Sequence, residues 1–345
     1  MKTLVVGFGI AGVSIAYQLK KNKIPFHVID SSNNSSSLVA GGVFNPTVLK
    51  RYTMSWEGKD FSDYAIPFYR EISSLLNSKI FNQTAINRIL SSVSDQNRWH
   101  EASDKNELDS YFIKDIVLKT DKKLNTPFGL GQLKNVGQIN FKLIIDKFKK
   151  YLNDSFKNEM FDYSELIFFK DSIKYRDVYY RNIIFCEGYN MKINPYFNYL
   201  PLTGNKGEML IIKASKLSNK IIIKGKFFIV PLKHDLFWVG ATFNNIDKTT
   251  NKTKSARNEL LLELQSKLNV QYEVVSHDAQ IRPTVKDRRP LIGQHPEINN
   301  LYVFNGLGTR GSLMAPRLSN FLFNYIFFKK ALPTSIDIRR FTIEK

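Results

Sequence analysis

MKTLVVGFGIAGVSIAYQLKKNKIPFHVID, residues 1–30, is the stretch whose reading decides the fold. Thr3–Val6 predicts a short strand, Gly7, Gly9 and Gly12 follow in a strict G-x-G-x-x-G, and a helical segment runs on to about Lys21. Pro25 stops that helix, and Phe26–Ile29 predicts a second strand ending in Asp30. A strand, a glycine turn, a helix and a strand closed by an acid form the context in which this pattern binds a dinucleotide. Gly7 lets the backbone turn tightly. Gly9, with Ile10 and Ala11 behind it, admits a pyrophosphate to the helix amino terminus, and Gly12 lets helix and strand pack closely. Asp30, eighteen positions after Gly12 and followed by Ser31, can accept hydrogen bonds from both hydroxyls of an unphosphorylated ribose. Lys2 and the apolar run behind it also resemble a signal peptide, but the regular glycine punctuation argues against one.

Beyond Asp30 the βαβ alternation stops. A Ser/Asn-rich loop containing Ser37 leads into SLVAGGVFNPTVLKR, residues 37–51, with Gly41, Gly42 and Pro46. A helix is expected from about Lys59 to Leu76, with Phe61, Tyr64, Phe68, Ile72 and Leu75 at helical spacing and Pro67 as a kink or restart. Residues 80–136 read as irregular. Gly137–Leu152 predicts an amphipathic helix, and short strands are expected from Phe161 to Cys186, the most apolar being Ile183–Cys186 in a central sheet. Closely spaced strands from Glu208 to Phe243 suggest an antiparallel meander. A helix over Ser255–Leu268, a strand over Leu301–Phe304 and a helix over Leu313–Phe328 complete the chain. The expected class is α/β (α+β overall). A discontinuous Rossmann-like nucleotide domain (1–80, 137–200 and 278–345) interleaves with an antiparallel-sheet substrate domain (81–136 and 201–277).

Composition narrows the setting. The 345 residues are 43% hydrophobic, too apolar for a disordered chain. The lone Cys186 builds neither a disulfide framework nor a cysteine-rich zinc site, so a reducing, cytoplasmic location and no metal are expected. The apolar run Phe321–Phe328 is interrupted by Asn324 and is far shorter than the ~20 residues of a membrane helix, so a soluble protein is expected. The net charge of +19 has two readings, a polyanionic partner such as nucleic acid or a compositional bias toward lysine.

Near the carboxyl terminus, RPTVKDRRPLIG (282–293) precedes GLGTRGSLMAP (306–316), a second formal G-x-G-x-x-G at Gly306, Gly308 and Gly311. No βα unit and strand-terminal acid follow it, so a second dinucleotide site is not expected. A helix amino terminus there suits the negative charge that a flavin develops at N1/O2.

Together the amino-terminal fingerprint with Asp30, the Gly41 loop, RPTVKDRRPLIG and GLGTRGSLMAP resemble the D-amino-acid oxidase/glycine oxidase superfamily of FAD-dependent oxidoreductases. GLGTRGSLMAP is most similar to the FAD domain of the bifunctional enzyme of tRNA 5-methylaminomethyl-2-thiouridine biosynthesis, whereas RPTVKDRRPLIG looks more like glycine oxidase. The resemblance implies noncovalent FAD, its ADP part held by Gly7, Gly9, Ile10, Ala11, Gly12, Asp30 and Ser31. Ser37 and Gly41 would line the pyrophosphate and flavin path, and Gly188 the adenine side. Gly306, Gly308, Thr309, Arg310, Gly311 and Ser312 would border the isoalloxazine. Arg282 falls where glycine oxidases bind the substrate carboxylate, its alternative being a salt bridge with Asp287 or another acid. Arg310 is a second catalytic candidate, with backbone capping as the alternative. Tyr52 is a third catalytic candidate, and it and Trp56 could wall the substrate pocket or pack in a core.

The implied reaction is oxidation of a C–N bond of an amino acid or secondary amine, with hydride transfer to flavin N5 and hydrolysis of the imine. One alternative is a tRNA-modifying flavoenzyme that removes a carboxymethyl group from a wobble uridine. Another is a non-catalytic nucleic-acid-binding flavoprotein, and a nicotinamide-dependent reductase lacks the second βαβ site it would need. The expected partners are a small amine or amino acid and, in the second reading, tRNA.

Overall fold

The structure is a computed structural model that describes residues 1–31, 35–119, 121–218 and 220–341. Its first sheet forms around the opening sequence. Strand β1 (Lys2–Val6), helix α1 (Ile10–Lys21) and strand β2 (Phe26–Ile29) follow as expected, and the two strands pair in parallel with Val5 opposite Val28. Helix α2 (Gly58–Leu75) runs unbroken through Pro67. Helix α3 (Phe141–Leu152) begins only after a short strand, Gly137–Ile139, because Asn140 caps it by accepting the Leu143 N–H. The predicted start at Gly137 was therefore too early.

Strand β3 (Val178–Phe185) is the centre of this sheet. It pairs in parallel with β1 along one edge, Leu4 opposite Ile183 and Val6 opposite Phe185. Its other edge is shared by the antiparallel strand Ile173–Tyr175 and by a strand near the carboxyl terminus. Leu4, Val5, Ile183 and Ile184 are fully buried, as a parallel sheet covered on both faces requires. One face carries α1, α2, α3 and the carboxyl-terminal helix, through Ile15, Phe68, Ile144 and Leu318. The other carries an aromatic cluster that includes Tyr175, Tyr180, Phe185 and Phe197.

The second sheet has eight strands. Strand β4 (Asn205–Lys213) lies between β5 (Leu236–Gly240) and β6 (Glu273–Arg282), antiparallel to both, and β5 continues into Phe228–Pro231 and Ile222–Lys224. Within 208–243 the strands pair antiparallel as expected, and the sheet becomes mixed at the next step, where Ile222–Lys224 pairs in parallel with Ile86–Ile89. Ile86–Ile89, Leu130–Leu133 and Phe112–Val117 extend the sheet, and helix Val93–Ser103 covers it through Trp99. Residues 80–136, read as irregular, thus contribute four strands and a helix among the described residues. Their strands are four to six residues long in this sheet and their helix is polar apart from Val93, Trp99 and Ala102, so no period of two or 3.6 stands out. Helix Lys254–Lys267 covers the opposite face through Leu260 and Leu264.

The sheets meet through the loop after β2. Val43–Phe44 pairs with Gly137–Ile139, which also pairs with Phe81–Gln83. The Trp238 indole of β5 donates to Val39 O at 2.8 Å. A Cβ on Gly41 would lie 2.6 Å from that indole, so only glycine lets the loop dock on the second sheet. Strand β7 (Leu301–Asn305) returns the chain to the first sheet beside β3, and α4 (Gly311–Phe328) packs against α1 and α2.

Candidate active site

The glycine turn between β1 and α1 has no spare room. Gly7 sits at φ +91°, and a Cβ there would lie 2.5 Å from Cys186 O at the end of β3. A Cβ on Gly12 would fall 2.0 Å from Gly7 O, so helix and turn touch backbone to backbone. The first turn of α1 has no acidic residue, and the Ile10 N–H donates to Ser37 Oγ at 3.0 Å. Ser37 therefore approaches the helix amino terminus as the sequence suggested, and it does so by capping it. Asp30 ends β2 as expected, its Oδ2 3.4 Å from Lys149 Nζ of α3, while Ser31 is exposed beside it.

A second helix amino terminus opens beside the first. A Cβ on Gly311 would be 3.0 Å from Ile10 Cγ2, so the positive ends of α1 and α4 adjoin. The first turn of α4 has no acid and no side-chain cap. Gly306 (φ +75°) and Gly308 (φ +55°) form the turn before it, Thr309 is exposed, and Ser312 Oγ donates to Val43 O at 2.9 Å. Gly188 (φ +58°) follows β3, its carbonyl accepts from Asn305 Nδ2 at 2.8 Å, and nothing lies within 4 Å of a Cβ built on it. Two adjoining helix amino termini, glycine turns, open space at Gly188 and an acid at the end of β2 fit the long, twice-negative shape of FAD.

The two candidate arginines have different surroundings. Arg310 donates to Asn45 O at 2.8 Å and to Thr47 O at 3.1 Å, so its guanidinium ties the 43–48 loop to the start of α4. That is the backbone role left open in the sequence. Arg282, at the end of β6, instead keeps part of its fork free. Nη1 donates to Asn205 Oδ1 at 2.6 Å, and Nη1 and Nη2 both reach Thr242 O at 3.2 Å. The Nε–H and the outer Nη2–H, the side-on edge that a carboxylate grips with two bonds, make no hydrogen bond among the described residues. No carboxylate pairs with Arg282 there. Asp287, the alternative partner, pairs with Arg340 at 2.8 Å. Burial pushes the Arg282 guanidinium down to about 10, still cationic at neutral pH.

Four residues that the sequence reading missed hold this fork. Asn205 lies opposite Arg282 in the β4–β6 register and supplies the amide oxygen. The Thr242 carbonyl supplies the end-on acceptor. A Cβ on Gly207 would stand 2.1 Å from Nη2, so the guanidinium lies flat on this backbone. The Phe243 ring lies 4.6 Å from the guanidinium carbon. The pairing of β4 with β6 reveals Asn205 and Gly207, and the segment after β5 brings in Thr242 and Phe243; the distance of 77 positions between Asn205 and Arg282 hides the pairing from any local pattern.

Tyr52 is a packed residue. It is 2% exposed, stands edge-on to Trp99 and Phe112, and donates to Asp95 Oδ1 at 2.7 Å. The packing alternative therefore holds and the catalytic candidacy does not, because both its ring and its hydroxyl are committed to the core of the second sheet. Trp56 is partly buried beneath the Arg289 guanidinium, 4.4 Å from its ring.

Residues 159–322 match the model of the DAO family, described as FAD dependent oxidoreductase. Over 148 residues the chain is 30% identical to the tRNA 5-methylaminomethyl-2-thiouridine biosynthesis bifunctional protein MnmC of Nitrosospira multiformis, covering 39% of this chain and 24% of that protein. The same protein of Idiomarina loihiensis is 26% identical over 154 residues, 43% of this chain and 25% of its own length. The matches thus span about a quarter of those relatives. Among solved structures, iminodiacetate oxidase from Chelativorans sp. superposes with a TM-score of 0.80 at 15% identity, covering 97% of this chain and 99% of that one. Glycine oxidase from Bacillus cereus superposes with a TM-score of 0.76 at 16% identity, covering 96% of each. These likenesses establish the α/β fold expected from the sequence. No helix of the described residues is long and apolar enough to cross a membrane.

Proposed function

We propose that the protein is an FAD-dependent oxidoreductase of the DAO type, and that it oxidises the C–N bond of an amine or amino acid whose carboxylate is held by Arg282. The free side-on edge of that guanidinium carries the reading. A half-buried cation held by carbonyl and amide oxygens alone lacks a counter-charge, and a bidentate carboxylate supplies both the charge and the geometry. FAD, when bound, supplies the hydride acceptor.

The chain's own residues bind and orient. Asn205 and Thr242 fix the fork, and Gly207 and Phe243 hold its plane, so a bound carboxylate has one orientation and the amine-bearing carbon one direction. The amine reacts in its neutral form, and the imine is hydrolysed in water. The buried Cys186 accords with a cytoplasmic setting. The test is flavin reduction by a panel of amines with and without a carboxylate, in wild type and in Arg282→Gln. The reading requires reduction by carboxylated members and its loss in the variant, and equal reduction by both sets would overturn it.

A second reading is favoured by the similarity to MnmC and by the net charge of +19. In it the carboxylated amine is part of a modified wobble uridine in tRNA. A carboxymethylamine offers Arg282 the same carboxylate, so the chemistry is shared and only the body carrying it differs. Salt-dependent tRNA binding together with flavin reduction by the modified tRNA supports this reading, and absent or salt-insensitive binding removes it.

A further inference from the structure

On β4 the side chains alternate between two tasks. Asn205 and Gly207 face Arg282, while Lys206 and Glu208 point to the other face of the sheet. Lys206 is 1% exposed, far more enclosed than a lysine ordinarily is. Its ammonium lies 2.6 Å from Asp247 Oδ2 and 3.5 Å from Glu208 Oε1, and also donates to the carbonyl of Asn251. Glu208 in turn accepts from the Thr253 N–H and hydroxyl, both at 2.8 Å, with His277 Nε2 2.9 Å away. Asp247 and Asn251 lie in the segment between β5 and helix Lys254–Lys267, the segment that carries Thr242 and Phe243.

That segment is fastened at several further points. The Lys206 and Asn244 backbones exchange hydrogen bonds at 2.8 and 2.9 Å. Asn205 Nδ2 donates to Asn245 Oδ1 at 2.6 Å, and Lys248 Nζ to Gly204 O at 2.7 Å. Its two large apolar side chains are poorly covered, Phe243 70% and Ile246 91% exposed, so hydrophobic packing does little to hold it. Burying an ammonium is costly, and the cost is offset only by a close, well-hydrogen-bonded partner, which Asp247 and the Asn251 carbonyl provide.

We propose that Lys206, through its ion pair with Asp247, is a positioning residue for the carboxylate site: it clamps residues 242–251 so that Thr242 O and Phe243 hold the Arg282 fork with its side-on edge open. The inference rests on the reading of Arg282 as the carboxylate anchor. Lys206 touches no substrate in this account; it acts from the far side of the sheet.

The test pairs Lys206→Met with Asp247→Asn and the double variant, each purified with FAD. Two readouts are taken: hydrogen exchange of amides 242–251 without substrate, and KM and kcat for a carboxylated and a carboxylate-free amine. The expected result is faster exchange in 242–251 with residues 209–212 unchanged, and a tenfold or greater rise in KM for the carboxylated amine alone at near-constant kcat. The double variant should be no worse than the more affected single one. Should Lys206→Met fail to fold, Asp247→Asn, at the more exposed end of the pair, carries both readouts. Unchanged exchange in 242–251, or KM and kcat falling together with FAD loss, overturns the clamp. Faster exchange with no distinction between the two amines even in wild type instead overturns the role of Arg282 and leaves the clamp standing.

Discussion

At the residue scale, the account depends on how few groups hold Arg282. Removing its charge in Arg282→Gln forfeits a charge-assisted pair, about 1.5–3 kcal/mol, so KM for a carboxylated amine should rise roughly 10- to 150-fold while the flavin spectrum is kept. Gly207→Ala should weaken the same substrates without touching any charge, since its Cβ would occupy the place of Nη2, 2.1 Å away. Normal KM in both variants would exclude this role for the guanidinium. Glu187 permits a second prediction. Burial lifts its carboxyl to about 7, while Asn194 and the Tyr163 hydroxyl bind it. The folded state thus holds this proton more tightly than the unfolded chain, so its contribution is greatest at acidic pH and is lost as pH rises from about 4.5 through 7. Thermal melting of Glu187→Gln should lack that decline and exceed wild type at pH 8. A parallel decline in both would assign the pH dependence elsewhere.

Among elements, what the sequence made legible was whatever is long or locally punctuated. The β1–α1–β2 unit followed from three glycines, Pro25 and Asp30, and helices α2 and α4 from apolar residues at helical spacing. The strands near residues 81–133 escaped because each carries only three to six residues, and their partners lie far away in the chain. The same distance hid Asn205 and Thr242 from Arg282, and the packing of Tyr52 from its loop. Arg310 lies within the GLGTRG run, yet its two carbonyl partners come from 265 and 263 positions away. Helix α1 is open to a single disruptive change. Gly12→Ala would force 2.0 Å between its Cβ and Gly7 O, so purified Gly12→Ala should lose FAD, read as absorbance per protein. Retention of full flavin content would show that the turn can relax without disturbing the cofactor cradle.

Over the whole molecule, the helix-covered first sheet presents two helix amino termini, the second sheet docks Trp238 on the Gly41 loop, and Arg282 is followed by Pro283, whose carbonyl accepts the Gly308 N–H at 3.0 Å. Under the proposed function, the first sheet would hold the nucleotide and the second the substrate, joined at the loop after β2. The surplus of 50 basic over 31 acidic residues belongs to this scale too. If tRNA carries the substrate, its affinity should fall steeply between low and physiological salt, as phosphate neutralisation demands; a flat response would assign the charge to composition alone. The central claim, oxidation of a carboxylated amine anchored by Arg282, is tested most directly by anaerobic mixing of the FAD-loaded protein with such amines, glycine and sarcosine first and the carboxymethylaminomethyl-uridine tRNA beside them. The account predicts loss of the oxidised-flavin absorbance with at least one of them in wild type and a strongly weakened response in Arg282→Gln. Flavin that stays oxidised with every carboxylated amine, or is reduced equally well in both proteins, would contradict it.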